Sequence, residues 1–308
     1  MTAPPAPAPR PASGALVGMG WMLLSGLLFA IMTGAARHAA VGLDPMQVAF
    51  LRYSLGFLFV LPFLVRRYRF RLPRTTRPGL HVLRGVFHGI GVMLWFYSLV
   101  RIPIAEVQAL SFLSPVFVTL GAMAFLGERA DIRRLGAVLV AFGGTLVILR
   151  PGLQAIDLGA VALLVAAPLF AGSELAAKLL SRTESSANVV AIQSLVVSLT
   201  CLPAAALVWQ NPSLDQLAWI LVVAGLATLG HMAWIKALIA ADVSATQPIK
   251  FLQLAWVALI GLVIFAEVPD LMTLAGGAII FASASYVAGR EARSIRRAAA
   301  GPSGSRAG

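Results

Sequence analysis

Apolar residues run along this chain in long stretches, interrupted by short clusters of Pro, Gly and charge rather than alternating with polar positions. The pattern is neither the two-residue period of a half-buried strand nor the narrow stripe of a surface helix. It is apolar all round, as in helices embedded in lipid. A helix needs about 20 apolar residues to cross the hydrocarbon core. The breaks divide the chain into ten such stretches, residues 15–36, 45–65, 78–100, 103–126, 131–149, 158–180, 187–209, 215–238, 243–266 and 270–289. The expected fold is an all-α integral membrane protein with ten transmembrane helices, because a helix satisfies its own backbone where no water can.

The second pattern is a repeat. Moving residues 91–135 forward by 139 positions, without gaps, places Gly91 on Gly230, Met93 on Met232, Trp95 on Trp234 and Gln108 on Gln247. The same shift places Phe112 on Phe251, Glu128 on Glu267 and Asp131 on Asp270. Leu and Val coincide by accident in a chain this apolar, whereas Trp, Gln, Glu and Asp are scarce. The chain therefore reads as a duplicated unit. Span three maps onto span eight, span four onto span nine and the start of span five onto that of span ten, so each unit holds five spans. An odd number of spans inverts the second copy relative to the first, and substrate is expected near the midplane between the copies.

Composition agrees with lipid as the solvent: 59% of residues are hydrophobic, 12% are charged and mean hydropathy is +0.87. A net charge of +12 would suggest nucleic acid in a soluble protein. Here the arginines sit between or beyond apolar runs, and no nucleic-acid partner is expected. Lys and Arg collect in cytoplasmic loops. With the N-terminus inside, cytoplasmic segments hold Arg66, Arg67, Arg69, Arg71, Arg74 and Arg77, then Arg129, Arg133 and Arg134, then Lys178 and Arg182, then the C-terminal arginines. The opposite side holds Arg37, Arg101 and Arg150. That asymmetry predicts N-in and C-in ends. Residues 1–14 read as a disordered cytoplasmic tail without the apolar core of a secretory signal, and 290–308 as a basic cytoplasmic tail. Cys201, the single cysteine, excludes an intrachain disulfide and reads as a space-filling residue.

The segment Ala105 to Arg134, AEVQALSFLSPVFVTLGAMAFLGERADIRR, with Pro115 in mid-helix and Gly127-Glu128-Arg129 closing span four, resembles the drug/metabolite transporter superfamily, specifically its EamA-type ten-helix members. Its counterpart in the second copy is DVSATQPIKFLQLAWVALIGLVIFAEVPD, where Leu254 stands for Pro115 and Val268 for Arg129. On this resemblance 15–149 and 158–289 are two EamA-like five-helix repeats joined by 150–157. It implies an inner-membrane carrier working by alternating access on small organic solutes. It also implies that spans one to four and six to nine line a central cavity, while spans five and ten are structural.

Charges inside hydrocarbon are costly and face a cavity or a partner, so each is a functional candidate. In span three His81, Arg84 and His88 fall at i, i+3 and i+7, on one helical face. Arg84 lies about 9 Å in at 1.5 Å per residue, near enough to snorkel, while His88 at about 15 Å is too deep. Both are candidate substrate contacts, and His81 reads as an interface residue. Span four puts Gln108, Ser111 and Pro115 on one face, and span nine puts Gln247, Lys250 and Leu254 on the matching face. Pro115 also frees a backbone carbonyl, a feature tolerated beside a cavity. Trp95 and Trp234 are repeat equivalents that would sandwich a planar solute or else join an interfacial belt. Arg52, beside Tyr53 and about 10 Å into span two, is a candidate anion contact or else snorkels outward.

Glu106, one turn into span four, is the candidate proton-coupling group or else an outer-mouth partner for Arg101 or Arg52. Glu174 and Lys178, at i and i+4, read as a structural ion pair. Pro115, Glu128 and Glu267 are expected to be structural or gating, and Gly85 with Gly89 forms a small-xxx-small packing pair. Lys236 adds to an interior that leans cationic.

Together these features predict a secondary transporter of an anionic or zwitterionic metabolite, such as an amino acid, a vitamin or a carboxylate metallophore. Lipid surrounds it, protons are the candidate coupling ion, and it works as a monomer or homodimer. A passive channel or flippase-like protein is the alternative. An intramembrane enzyme is a distant third, since the chain has no paired intramembrane aspartates, no His/Glu metal cluster and no Gly-x-Ser-x-Gly elbow. No Gly-x-x-x-x-Gly-Lys loop is present for nucleotide. No cofactor, metal or catalytic residue is expected.

Overall fold

A computed structural model describes residues 12–68, 75–114, 116–118, 121, 132–150, 156–181, 183–240 and 252–299. These residues are helical, with no strand among them. In chain order the helices are α1 (Ala12–Ala39), α2 (Pro45–Tyr68), α3 (Pro78–Leu99), α4 (Ile104–Ser111) and α5 (Ile132–Leu149), then α6 (Leu158–Leu180), α7 (Ser186–Leu207), α8 (Leu214–Ala240), α9 (Leu252–Phe265) and α10 (Leu271–Ala299). Among the described residues α1, α2, α3, α6, α7 and α8 are long and apolar enough to cross a membrane. Shorter apolar helical stretches occupy α4, α5, α9 and α10.

Local chemistry sets where these helices begin. Pro45 and Pro78 open α2 and α3, where a missing N–H costs nothing. The Asp157 carboxylate accepts from Gly159 N at 2.6 Å to cap α6, and Ser185 Oγ accepts from Asn188 N to cap α7. Asp270 Oδ1 accepts from Thr273 N at 2.8 Å at the start of α10.

The sequence predicts span four as one helix over 103–126, but α4 ends at Ser111 and Phe112 and Leu113 form a turn. Phe112 N and Leu113 N donate to Ala109 O and Leu110 O, three residues back rather than four. The cause is chemical: Pro115, itself outside the described residues, brings no N–H for the Ser111 carbonyl. Ser111 Oγ meanwhile donates to Val107 O at 2.7 Å.

Most of the helix pairs map onto one another when the halves are exchanged. α1 packs on α8 as α6 packs on α3, α2 on α8 as α7 on α3, and α1 on α9 as α6 on α4. α2 with α3 maps onto α7 with α8, and α2 with α7, α4 with α9 and α5 with α10 each map onto themselves, while α4 also packs on α10 and on α3 outside this pattern. Glycines permit the closest crossings. A Cβ at Gly276 would stand 2.5 Å from Gly144 O, and one at Gly144 would stand 2.8 Å from Gly276 O, so α5 and α10 meet backbone to backbone. Gly85 and Gly89 of α3 abut Val196 and Thr200 of α7, the close approach expected of that pair. Cys201, fully buried, approaches Gly89 O and fills space there.

Loops predicted to share a membrane face meet one another. At one end Gln47 Nε2 donates to Gln210 O at 2.6 Å, Gln216 Nε2 donates to Val41 O at 3.0 Å, and Arg150 pairs with Asp270. At the other end Thr75 Oγ1 donates to Glu184 Oε1 at 2.5 Å, and His81 Nε2 lies 3.0 Å from Glu184 Oε2. His81 is 2% exposed, so it is a buried tie between α3 and the loop before α7 and not the interface residue expected.

Candidate functional site

Between the two halves lies a cavity of about 230 Å³. Among the described residues its lining comes from α1, α2, α3, α4, α6, α7, α8 and α9, and none comes from α5 or α10. The close glycine crossing of α5 with α10 keeps that pair outside the ring.

The cationic part of the lining is held tightly. Arg84 is 2% exposed and does not snorkel. Its Nη1 donates to Val189 O at 3.1 Å and its Nη2 to Gln193 Oε1 at 2.6 Å, both on α7. Its Nε has no hydrogen-bond partner among the described residues. Arg52 is also buried, with its guanidinium 3.7 Å from the centre of the Tyr53 ring. A guanidinium stays charged at any working pH, so the cavity keeps two fixed positive charges.

Next to them is a group of rings. Tyr53 Oη lies 2.6 Å from His88 Nε2, and Ser173 Oγ lies 3.4 Å from His88 Nδ1, so α2, α3 and α6 meet through one imidazole. His88 stands edge-on to Phe170 at 5.2 Å and to His231 at 5.7 Å, and His231 stands edge-on to Phe29 at 4.9 Å. Gln253 Nε2 donates to Gln108 Oε1 at 3.1 Å, linking α9 to α4 along another side of the cavity.

Of the substrate-contact candidates, Arg52, Arg84, His88, Trp95, Gln108, Ser111 and Trp234 all line this cavity. Gln247, Lys250, Pro115 and Glu128 lie outside the described residues. Glu106 is half-buried in the first turn of α4 and is not among the lining residues. Lys236 is exposed, with Nζ 4.3 Å from the centre of the Trp21 ring, so it does not add to the cavity charge. Glu174, expected to serve a structural pair with Lys178, contributes to the lining.

Sequence reasoning missed Phe29, Phe170, Gln193, His231 and Gln253. A signal for the two phenylalanines was present. Gly91 and Gly230 match across the repeat, and a Cβ at either would sit 3.1 Å from Phe170 or 3.2 Å from Phe29 respectively. Each glycine makes room for a ring on the neighbouring helix. Gln193 and His231 have no repeat partner of the same type, and nothing in a local pattern marks them.

Glu267 sits away from the cavity, at the end shared by Arg37 and Ile102. Its Oε1 pairs with Arg37 Nη2 at 2.7 Å and its Oε2 accepts from Ile104 N at 2.9 Å, while Arg37 Nη1 donates to Ile102 O at 3.1 Å. One carboxylate thus joins the ends of α1 and α9 to the start of α4. Ala266 beside it has φ 52, a left-handed conformation that costs a non-glycine residue roughly 1–2 kcal/mol. Arg150, also left-handed at φ 45, pairs with Asp270 at the same end. Burial alone raises the Asp270 carboxyl, but the Thr273 N–H and Arg150 outweigh it and hold the group below the usual carboxylate range.

Comparison with known proteins gives a consistent picture. The EamA-like transporter family matches residues 16–150 and again 157–289. The chain is 33% identical to a riboflavin transporter of Vibrio cholerae over 94% of this chain and 97% of that one. It is 28% identical to an S-adenosylmethionine uptake transporter of Rickettsia bellii, covering 91% and 96% of the two chains. It is 27% identical to the pseudopaline exporter CntI of Pseudomonas aeruginosa, covering 84% and 91%. A crystal structure superposes with a TM-score of 0.62 at 19% identity, covering 92% of this chain and 99% of that chain, and shares the fold.

Proposed function

The chain belongs to the EamA-like transporter family and is a multi-pass membrane transporter, not an enzyme; on that premise we propose that it carries a small anionic or zwitterionic metabolite across the inner membrane by alternating access through the central cavity. The observation that carries this reading is the pair of buried guanidiniums, Arg52 and Arg84, in a cavity lined by eight helices of both halves. Burying a charge is costly unless something repays it, and an anionic solute does.

In this reading 15–149 and 158–289 are five-helix repeats of opposite orientation, with both termini inside. The exchangeable packing pairs support it. Gln247 and Lys250 complete the site from the second copy, and Glu106 is the proton-coupling group. The Arg37–Glu267 network holds the outer end closed, and it must break for the cavity to open outward. Glu128, its repeat equivalent, would act at the inner end.

The test is uptake or efflux of a labelled panel of anionic, zwitterionic and cationic solutes in cells, comparing the wild type with Arg84→Ala and Lys250→Ala. Loss of anion transport in both variants is expected. Unchanged transport of the anionic substrate in both overturns the site assignment.

A further inference from the structure

The charged wall of the cavity defines the head of the ligand. Arg84 has both terminal nitrogens committed to α7, which leaves Nε, and Gln193 uses its oxygen on Arg84, which leaves Nε2. Neither nitrogen has a hydrogen-bond partner among the described residues, and both residues are 2% exposed. Nε of arginine and Nε2 of glutamine only donate. Both nitrogens are closed off from the cavity itself, so what a ligand meets at this wall is the fixed guanidinium charge of Arg84 and not a free donor. Arg52 adds a second fixed positive charge to the same lining. The group that answers two guanidinium charges is an anion, and a carboxylate is one that pairs well with them.

The body of the ligand is defined by the rings. Trp95 and Trp234 come from α3 and α8, at positions equivalent in the repeat, and both line the cavity while only partly buried. Trp95 already meets Phe96 edge to face at 5.1 Å. Partly covered indoles in a walled cavity favour a planar ring system, which packs against a π face better than a puckered one. The indole N–H groups add donors and no acceptors.

We propose that the transported solute is a planar aromatic carboxylate, with its acid at the wall formed by Arg52, Arg84 and Gln193 and its ring against Trp95 and Trp234. This rests on the central cavity being the transport site.

The experiment is calorimetric titration of the full-length protein in detergent with three matched probes. Indole-3-acetate has ring and acid, cyclohexaneacetate has the acid without the planar ring, and tryptamine has the ring with the opposite charge. Indole-3-acetate is expected to bind at least tenfold more tightly than either of the others. Trp95→Leu weakens indole-3-acetate about tenfold, the upper range for an aromatic pair, and changes cyclohexaneacetate less than twofold. Gln193→Glu keeps the shape, bonds to Arg84 and places a negative charge where the acid belongs. It therefore weakens indole-3-acetate more than tenfold while tryptamine binding is kept or improved, a swap that a purely structural role does not produce.

Thermal unfolding checks that each variant is folded. If cyclohexaneacetate binds as well as indole-3-acetate and both weaken in Gln193→Glu, the aromatic assignment fails and the cavity stands. If indole-3-acetate binds and neither substitution changes it, the cavity reading fails as well. If folded wild-type protein binds none of the three, the proposed class is overturned.

Discussion

Glu267→Gln tests whether the Arg37–Glu267 network holds one end of the transporter shut. The substitution keeps shape and one acceptor oxygen but removes the charge that Arg37 Nη2 meets at 2.7 Å and that Ile104 N meets at 2.9 Å. Arg37 and Glu267 side chains are 23% and 19% exposed, which places the pair between two regimes. A solvated surface pair contributes about 0–1 kcal/mol, and a hydrogen bond to a charged group about 1.5–3 kcal/mol. With two such bonds weakened at partial exposure, about 2 kcal/mol is a reasonable loss, a roughly 30-fold shift in a two-state equilibrium.

The assay is the rate at which a membrane-impermeant thiol reagent, added from outside, modifies Ser111→Cys in a Cys201→Ala background. Ser111 lines the cavity, so its modification reports outward opening. Adding Glu267→Gln is expected to raise the rate by about 10- to 30-fold, the fold equivalent of that loss. An unchanged or slower rate, with the protein still folded, refutes the idea that this network closes the outer end.

Other predictions follow from separate parts of the structure. Gly276→Val forces a Cβ toward Gly144 O and Ile148, so α5 and α10 must part; a loss of about 1–3 kcal/mol, read as a lower midpoint in detergent, is expected, and an unchanged midpoint would mean that the helices do not cross so closely. Thr76→Cys and Ser213→Cys, each in the Cys201→Ala background, are expected to be labelled from the cytoplasm and from outside respectively. The reverse pattern would invert the topology. Arg84→Lys keeps the charge but gives up the two-pronged grip on Val189 O and Gln193. Substrate affinity should therefore fall about tenfold or more, and full affinity would show that charge alone suffices.

Much of the architecture was legible because lipid imposes a simple rule. Long apolar runs bounded by Pro, Gly and Arg map onto α1, α2, α3, α6, α7 and α8. Span four was less legible: Pro115 was noticed as a missing donor, yet its effect one turn earlier, at Phe112 and Leu113, is a matter of helix geometry that a hydrophobic count does not carry. The repeat led to Trp95, Trp234 and Gln108 because scarce residues that coincide mark shared positions, helical spacing from Gln108 led to Ser111, and all four line the cavity. Gln193 stayed hidden because its role is to hold Arg84, and that relation spans 109 residues of sequence. His81 was misread for a related reason. Depth along a helix says how far a side chain lies from the interface, but not that Glu184 on another segment is waiting to cover it.

The central claim is that solute passes through the cavity between the halves, and the most direct measurement is transport in proteoliposomes by the wild type and by Ser111→Trp. Ser111 lines a space of about 230 Å³, and an indole there would fill much of it. The account predicts saturable transport by the wild type and none by the folded variant, with an unchanged unfolding midpoint. Transport at the wild-type rate by the plugged protein would contradict it.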